Sequence, residues 1–409
     1  MQNSGNKFLE RFRRITSAGN YLPEIDGLRF VAIFWVVVWM HLPTMLDKHL
    51  FGGSLFSNHY AFAVMIEGGN GVSLFFMVSG FILLRPFINE RLNNGKIVVL
   101  SQYYLRRLTR LEPPYLVALI IAFLATMLAK NYSFADMLPH FGASAVYMHN
   151  VIYDSASPIL GVAWSLEVEV QFYLLAPFFC FVFLISNSIF RRVLLFLLII
   201  LFALYAWKQN FVQPAILPHF LCYFLAGMLL ADLYMLKHRP LLNNRLGFVL
   251  GILIFVGSPF IISVNLFSLF ILKFALFICA FYLVLFNERL KHIFQNRYLT
   301  LVGGMCYSIY LLHTLIISAL FNGLKQWDTL GGIAGIIFYT AIAIAAVLII
   351  SAIFYKLVEQ PCMRKGWWLR KRSLKNPERA IEIRIFLKKL IKRLFNLNKR
   401  LTLRPLIRI

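Results

Sequence analysis

Seven ionisable side chains lie inside long apolar stretches, where each is a candidate for chemistry: Arg29, His41, Glu167, Glu169, Asp232, Lys273 and His313. A charged group in the core of a bilayer costs about 3 kcal/mol on insertion scales, so such residues are usually functional or paired. His41 is the strongest candidate, because a neutral imidazole can take a proton from a hydroxyl and act as a general base. The alternative is a histidine that only hydrogen-bonds a neighbouring helix. For Lys273 we expect pairing with a carboxylate or carbonyl and no further role.

Three of these residues are predicted at similar depth on separate helices. At about 1.5 Å per residue, His41 and His313 each lie about 18 Å from the cytoplasmic end of their apolar stretch. The helix of Glu169 is predicted to enter the membrane from the outside, so Glu169 lies in the same outer half as the two histidines. The coincidence predicts one buried polar site in the outer half of the membrane, where Glu169 would orient His41 or hold an acceptor. Ser165 could cap the helix of Glu167 and Glu169, although capping explains one acid better than two.

Three arginines, Arg106, Arg107 and Arg110, precede a pair of prolines on the predicted cytoplasmic side. On a helix, spacings of three and four residues would place them on one face. Guanidinium groups bind phosphate through paired hydrogen bonds, so this face suits a phosphate-rich ligand. Membrane orientation also predicts arginines here, and charge alone leaves both interpretations open.

The elements that must position these residues are membrane spans. The chain has 409 residues, of which 60% are hydrophobic and 14% charged, a composition that excludes a soluble enzyme. A bilayer core of about 30 Å needs about 20 apolar residues per helix. We therefore predict an all-α polytopic membrane protein with ten spans, at 28–45, 71–88, 113–129, 167–185, 193–207, 219–236, 246–262, 266–286, 301–321 and 333–355.

The basic residues predict the orientation of these spans. The chain carries a net charge of +24, which taken alone would fit a nucleic-acid binder. With the N-terminus inside, however, 35 of the 41 Lys and Arg fall on the cytoplasmic side, four outside and two within spans. Because basic residues collect in cytoplasmic loops, both termini are predicted to be cytoplasmic and no nucleic-acid partner is expected.

Three segments are predicted along the chain. Residues 1–20 form a cytoplasmic N-terminal segment, 21–363 the membrane domain and 364–409 a basic cytoplasmic tail. Within the tail, 381–395 has the pattern of a basic amphipathic helix on an anionic leaflet, although a solvated basic end is an equal alternative. Trp367 and Trp368 fit an interfacial anchor.

Six motifs, in order, resemble the acyltransferase family 3 of polytopic membrane O-acyltransferases. They are Ile25-Asp26-Gly27-Leu28-Arg29 followed by His41, the stretch Gly71 to Phe81, Arg106 to Arg110 with Pro113-Pro114, Trp164 to Tyr173, Tyr307 to His313, and Val358-Glu359-Gln360-Pro361. The resemblance covers residues 21 to about 363. It implies transfer of an acyl group, often acetyl, from cytoplasmic acyl-coenzyme A to a hydroxyl of a cell-surface or lipid-linked glycan, at the bacterial cytoplasmic (inner) membrane. No metal is expected, because no pair of His or carboxylates has ligand spacing within one helix.

The resemblance also implies roles for individual residues. The catalytic histidine of the family falls on His41, and its acidic residue before the Gln-Phe-Tyr sequence falls on Glu169. The basic pair associated with the donor falls on Arg107 and Arg110. With the neighbouring basic groups, the expected donor-binding residues are Arg29, Arg106, Arg107 and Arg110. The expected substrate-binding residues are Ser79, Trp164, Tyr310 and His313. Direct transfer and an acyl-enzyme on His41 or Ser79 are both open.

One spacing departs from the family pattern. The family usually has ten residues between the first-span Arg and His, whereas Arg29 and His41 are separated by eleven. Ten intervening residues would leave the two side chains about 20° apart around an α-helix, and eleven leave them about 120° apart. We therefore predict a π-bulge or a non-helical turn between Arg29 and His41.

Two other classes of protein would also retain charges in a membrane. A proton-coupled transporter or flippase would use them as a proton relay, although no pair of Gly/Pro-interrupted spans occupies corresponding halves. A non-catalytic sensor or scaffold is the third class. Many relatives carry an extracytoplasmic hydrolase-like domain after the last span, where this chain has its basic tail. We therefore expect the acceptor chemistry to be completed in the membrane domain or by a partner.

Overall fold

The computed structural model describes residues 21–364, apart from 54, 56–57, 93–94, 96, 131, 210–214, 236–240, 263–265 and 326–330, together with residues 12, 14 and 367. Throughout this described part the chain is helical and contains no strand. The predicted amphipathic helix at 381–395 and Trp368 lie outside the described residues. The Trp367 indole is described, and its Nε1 donates to the Thr109 carbonyl at 3.0 Å.

The α-helices are, in chain order, α1 Pro23–Phe34, α2 Leu42–Leu50, α3 His59–Ile66, α4 Asn70–Leu92, α5 Leu100–Lys130, α6 Phe134–Ala145, α7 His149–Tyr153, α8 Trp164–Phe179, α9 Ser188–Lys208, α10 Leu217–Met235, α11 Arg245–Gly257, α12 Phe267–Phe286, α13 Glu288–Phe294, α14 Arg297–Gly304, α15 Cys306–Leu324, α16 Gly332–Phe354 and α17 Gln360–Cys362. Short 3₁₀ segments occupy Glu67–Gly69, Gly161–Ala163, Cys180–Leu184 and Ser258–Phe260. Two π-helical turns occupy Trp35–His41 and Tyr355–Glu359.

Nine helical stretches of the described residues are long and apolar enough to cross a membrane. The prediction of an all-α polytopic membrane protein is confirmed. The predicted span at 246–262 corresponds to a shorter apolar helix, Arg245–Phe260. At about 1.5 Å per residue it is about 24 Å long, less than the hydrocarbon core of about 30 Å. The cytoplasmic placement of both termini remains a prediction.

Helices α4 and α10 form a closely packed pair in the centre of the domain. A Cβ atom at Gly80 would lie 2.2 Å from the Phe224 carbonyl oxygen, and one at Gly227 would lie 2.0 Å from that of Met77. Membrane helices associate through such close backbone contact, because lipid supplies no hydrophobic drive for association. Helix α4 is therefore held firmly, together with the residues that it contributes to the site.

Three of the seven ionisable residues, Asp232, Lys273 and Glu167, are bound to residues of other helices or segments. Asp232 accepts from Arg191 Nη2 at 2.7 Å and from Arg192 Nε at 2.7 Å, which ties α9 to α10. Lys273 pairs with the Glu67 carboxylate, so the prediction of a paired lysine is confirmed. The Glu167 carboxylate is the third. It accepts the backbone N–H of Asn150 at 2.8 Å in the first turn of α7 and so attaches the segment before α8 to that helix.

Candidate active site

The first span contains the predicted irregularity. A π-helical turn, Trp35–His41, lies between α1 and α2. A π turn closes its hydrogen bonds between residues i and i+5, so it takes up one residue more than an α-helical turn. The bulge predicted between Arg29 and His41 is therefore confirmed. With one residue absorbed, Arg29 and His41 return to nearly the same side of the span.

The π turn ends at His41, which contacts the second predicted histidine. His41 Nδ1 lies 2.9 Å from His313 Nε2. The other nitrogen of His313, Nδ1, lies 2.8 Å from the Tyr310 carbonyl oxygen and 3.1 Å from that of Ile309. His313 is fully buried, and His41 is partly exposed. Two helices far apart in sequence thus bring two imidazoles together; their common depth allowed this contact but did not predict it.

The partners of the two rings assign the protons of the neutral pair. A carbonyl oxygen only accepts, so His313 Nδ1 carries the proton. A neutral imidazole has one N–H, and His313 Nε2 therefore accepts from His41 Nδ1. His41 Nε2 is left with its lone pair. This is the state that a general base requires.

A cavity lies beside this pair, between α1, α4, α5, α8, α15 and the second π turn. The charged side chains of its lining are four arginines and two glutamates: Arg14, Arg29, Arg107, Arg110, Glu169 and Glu359. Behind the lining, Asp26 accepts from Arg29 at 2.6 Å and from Arg14 at 3.0 Å. Four guanidinium groups against these three carboxylates leave one positive charge in excess. The cavity therefore favours an anion.

Two of the arginines offer unused hydrogen-bond donors. Among the described residues, the buried Nε atoms of Arg14 and Arg110 have no hydrogen-bond partner. A buried donor without a partner costs about 1–3 kcal/mol, which a bound anion would recover. Arg14 was missed in the sequence, because membrane orientation already explained the basic residues of the N-terminal segment.

The predicted face of three arginines holds for two of them. Arg107 and Arg110 line the cavity, as does Arg29. The Arg107 guanidinium also lies over the Tyr173 ring, 5.7 Å from its centroid, and this contact fixes its direction. Arg106 is exposed, and its Nε donates to the Gln102 carbonyl at 3.0 Å. Arg106 lies outside the cavity lining, so its position does not support the donor-binding role predicted for it.

Glu169 and Ser79 meet inside the cavity. Both residues line it, and Ser79 Oγ donates to the Glu169 carboxylate. Two roles were predicted for Glu169, orienting His41 and holding an acceptor, but the side chain that contacts His41 is His313. The common depth predicted from topology is therefore correct for the two histidines, while Glu169 belongs to the arginine-lined cavity.

Tyr310 stands where the cavity meets the histidine pair. It lines the cavity, and its ring centroid lies 5.8 Å from that of His313. Its hydroxyl donates to the Val162 carbonyl at 3.0 Å and lies 2.7 Å from Ser165 Oγ. Ser165 therefore binds Tyr310, and the predicted cap is wrong, because the N-cap is Ala163 with no side-chain cap.

Trp164 lies outside the cavity, so its predicted contact with the substrate is not supported by its position. Its ring packs against Phe220, with centroids 5.3 Å apart, and against Phe76 at 6.4 Å. It belongs to an aromatic cluster between α4, α8 and α10. Neither His41 nor His313 lines the cavity directly. The site thus has two compartments, a charged cavity and a histidine pair, with Tyr310 between them.

Comparison with known proteins gives a consistent result. The family model described as "Acyltransferase domain" matches residues 22–355. The chain is 25% identical over 384 residues to the peptidoglycan O-acetyltransferase OatA of Listeria monocytogenes, which covers 85% of this chain and 56% of the relative. It is 26% identical over 394 residues to a protein of Staphylococcus aureus (strain COL) provisionally named O-acetyltransferase SACOL0978, covering 85% of this chain and 58% of the relative. The chain thus spans a little over half the length of these relatives. No solved structure matches it.

Proposed function

Because the chain belongs to acyltransferase family 3, an enzyme family that transfers acyl groups, we propose that it is a membrane O-acetyltransferase that uses acetyl-coenzyme A. The observation that carries the proposal is the arrangement of the two compartments. Tyr310 lines the arginine-lined cavity, and its ring is in contact with the ring of His313. A donor with phosphates at one end and a thioester at the other suits this arrangement.

The donor is proposed to bind through its phosphates. Arg14, Arg29, Arg107 and Arg110 form the positive end of the cavity. Guanidinium groups bind phosphate oxygens through paired, charge-assisted hydrogen bonds. The pantetheine arm of coenzyme A would extend along the cavity past Ser79 and Glu169. Its thioester then arrives at Tyr310.

His41 is proposed to act as the general base. Its Nε2 takes the proton of the acceptor hydroxyl as the oxygen attacks the thioester carbonyl. The resulting imidazolium keeps its hydrogen bond from Nδ1 to His313 Nε2. When the C–S bond breaks, the same proton passes from His41 Nε2 to the departing sulfur, so the products are an acetyl ester and free coenzyme A. Transfer requires the Tyr310 side chain to leave its bonds to Val162 and Ser165.

The proposed acceptor is a hydroxyl of a surface glycan at the bacterial cytoplasmic membrane. The name of the Listeria relative specifies peptidoglycan, and we extend only the broader class, a glycan, to this chain.

The test uses the full chain reconstituted in lipid nanodiscs. Acetyl-coenzyme A consumption is followed by thiol release, and acetylated products from glycan acceptors are identified by mass spectrometry. Wild type should transfer acetyl groups, and His41→Ala should bind coenzyme A but transfer acetyl groups on the order of 10³-fold more slowly. Full transfer by His41→Ala would contradict the proposal. Movement of a glycan across the membrane without consumption of acetyl-coenzyme A would instead support the transporter class.

A further inference from the structure

Glu67 and Lys273 form an ion pair that the proposed chemistry does not use. Lys273 Nζ contacts the Glu67 carboxylate. Both side chains are buried, with 3% of the Lys273 side chain and 8% of the Glu67 side chain exposed. Neither residue lines the arginine cavity. A buried ion pair adds little stability over apolar residues of similar size, because desolvation offsets the attraction. Its presence in a membrane domain therefore needs another explanation.

Glu67 begins the 3₁₀ segment that interrupts the second span between α3 and α4. Asn70 Nδ2 donates to the Glu67 backbone carbonyl at 2.9 Å and also to the Glu67 carboxylate. Lys273 reaches the same carboxylate from α12. The 3₁₀ segment is therefore held both by its own helix and by a distant span.

This 3₁₀ segment packs directly on the π turn of the first span. A Cβ atom at Gly68 would lie 2.5 Å from the Trp35 carbonyl oxygen and 2.9 Å from Met40 Cβ. Only glycine allows the two backbones to approach so closely. Just before the segment, the Val64 carbonyl accepts from Trp39 Nε1 at 3.0 Å. The π turn is thus supported along one side by the segment that Glu67 anchors.

We infer that the Glu67–Lys273 pair is a positioning device for His41. A π turn departs from regular helical hydrogen bonding, so its shape depends on what packs against it. The ion pair fixes the 3₁₀ segment, the segment supports the π turn, and the turn directs the His41 ring toward His313. Glu67 and Lys273 are then positioning residues that do not touch the substrate. The inference rests on the proposed function, in which His41 is the base.

The test compares two substitutions of the lysine. Lys273→Met keeps the length of the side chain and leaves Glu67 without its cation, whereas Lys273→Arg keeps the charge. We expect Lys273→Met to lower kcat by on the order of 10²-fold, because a displacement of about 1 Å has that cost. The KM for acetyl-coenzyme A should not change, since the cavity is elsewhere. Lys273→Arg should recover most of kcat.

The matched control breaks another buried ion pair. Arg191→Met removes a partner of Asp232 between α9 and α10. This variant should lower thermal stability and leave kcat per folded molecule unchanged. An equal loss of kcat in Lys273→Met and Arg191→Met would overturn the inference, because both pairs would then be merely structural.

A second measurement does not depend on enzyme activity. Diethyl pyrocarbonate reacts with the unprotonated nitrogen of imidazole, and mass spectrometry gives the labelling rate of each histidine. Lys273→Met should change the rate at His41 and leave the rate at His140 unchanged. This result in a chain that transfers no acetyl group would refute the proposed function and keep the positioning role. Unchanged labelling together with unchanged kcat would refute the positioning role.

Discussion

Two pairs of histidines in this molecule share a local geometry and differ in their surroundings. His140 Nδ1 lies 2.9 Å from His149 Nε2, the same distance that separates His41 Nδ1 from His313 Nε2. We call His313 and His149 the inner rings and His41 and His140 the outer rings. Each inner ring also faces a backbone carbonyl, which for His149 is that of Ser155 at 3.0 Å. By the same proton assignment, the outer ring of each neutral pair keeps a lone pair on Nε2.

The two pairs differ in what lies beside them. His140 and His149 are nine residues apart, on α6 and α7, and both stack on Tyr153, with centroids 4.3 and 4.8 Å away. They hold the loop that leads into α8. His41 and His313 join two spans and lie beside Tyr310 at the end of the arginine-lined cavity. Both pairs therefore offer an available lone pair. What distinguishes His41 as the candidate base is its position next to the cavity.

The largest expected difference is between the outer rings of the two pairs. His41→Ala should lower kcat by on the order of 10³-fold, the usual contribution of a general base. His140→Ala should leave kcat within a factor of about two, because a surface substitution away from the site has small effects. Both are measured as acetyl transfer per folded molecule. Similar losses in the two variants would remove the distinction between the pairs.

The next effect separates the functions of His313. His313→Leu removes the acceptor for His41 Nδ1 and should lower kcat by on the order of 10²-fold, because the ring of His41 loses its fixed tautomer. In His313→Gln, the amide oxygen can occupy the place of Nε2, and most of this loss should be recovered. Steady-state kinetics at neutral pH give the answer. If leucine were as good as glutamine, the hydrogen bond would have no role in the reaction.

The arginine cavity gives a smaller and different effect. Arg107→Ala and Arg110→Ala should each weaken coenzyme A binding by about tenfold, since a hydrogen bond to a charged group contributes about 1.5–3 kcal/mol. Arg106→Ala, on the exposed side of α5, should bind with wild-type affinity. Calorimetric titration with coenzyme A measures all three. Weaker binding by Arg106→Ala alone would place the donor outside the cavity.

The smallest effect concerns the His140–His149 pair and its dependence on pH. Burial, and then the neighbouring His140, lower the pKa of His149 below its ordinary value of 6.5. The unfolded chain therefore binds this proton more readily than the folded chain. The stabilising contribution is complete above pH 6.5 and is lost as the pH falls through the lower pKa of the folded state. Acidification from about pH 7 to 5 should lower Tm by about 2 °C more in wild type than in His149→Gln. An equal decrease in both would assign the pH dependence to other groups.

Much of this architecture could be predicted from apolar runs and charge. The spans follow from the length of the bilayer core, and the π turn follows from the eleven residues between Arg29 and His41. The partner of Lys273 was not predicted, because Glu67 precedes two glycines and the second span was predicted to begin only at Gly71. The structure extends that span through α3, which places Glu67 inside it.

The direction in which each side chain points around its helix could not be predicted from the sequence. Depth along a helix predicted that His41, Glu169 and His313 lie at one level, but rotation about the helix axes decided that His41 contacts His313 and that Glu169 faces Ser79. For the same reason Arg106 was predicted to share a face with Arg107 and Arg110, whereas it is exposed outside the cavity. Arg14 had no signal in the sequence, because nothing in its spacing or surroundings predicts its contact with Asp26 at 3.0 Å.

The π turn also makes the first span tolerant of a change in length. The loss of one residue between Arg29 and His41 can be absorbed by a switch from the π turn to an α turn, so neither end of the span has to rotate. Deletion of a single valine from Val36–Val38 should therefore be milder than the same deletion in the continuous helix α4. His41 therefore lies at the end of a segment that can hold one extra residue while the direction of the imidazole ring stays the same.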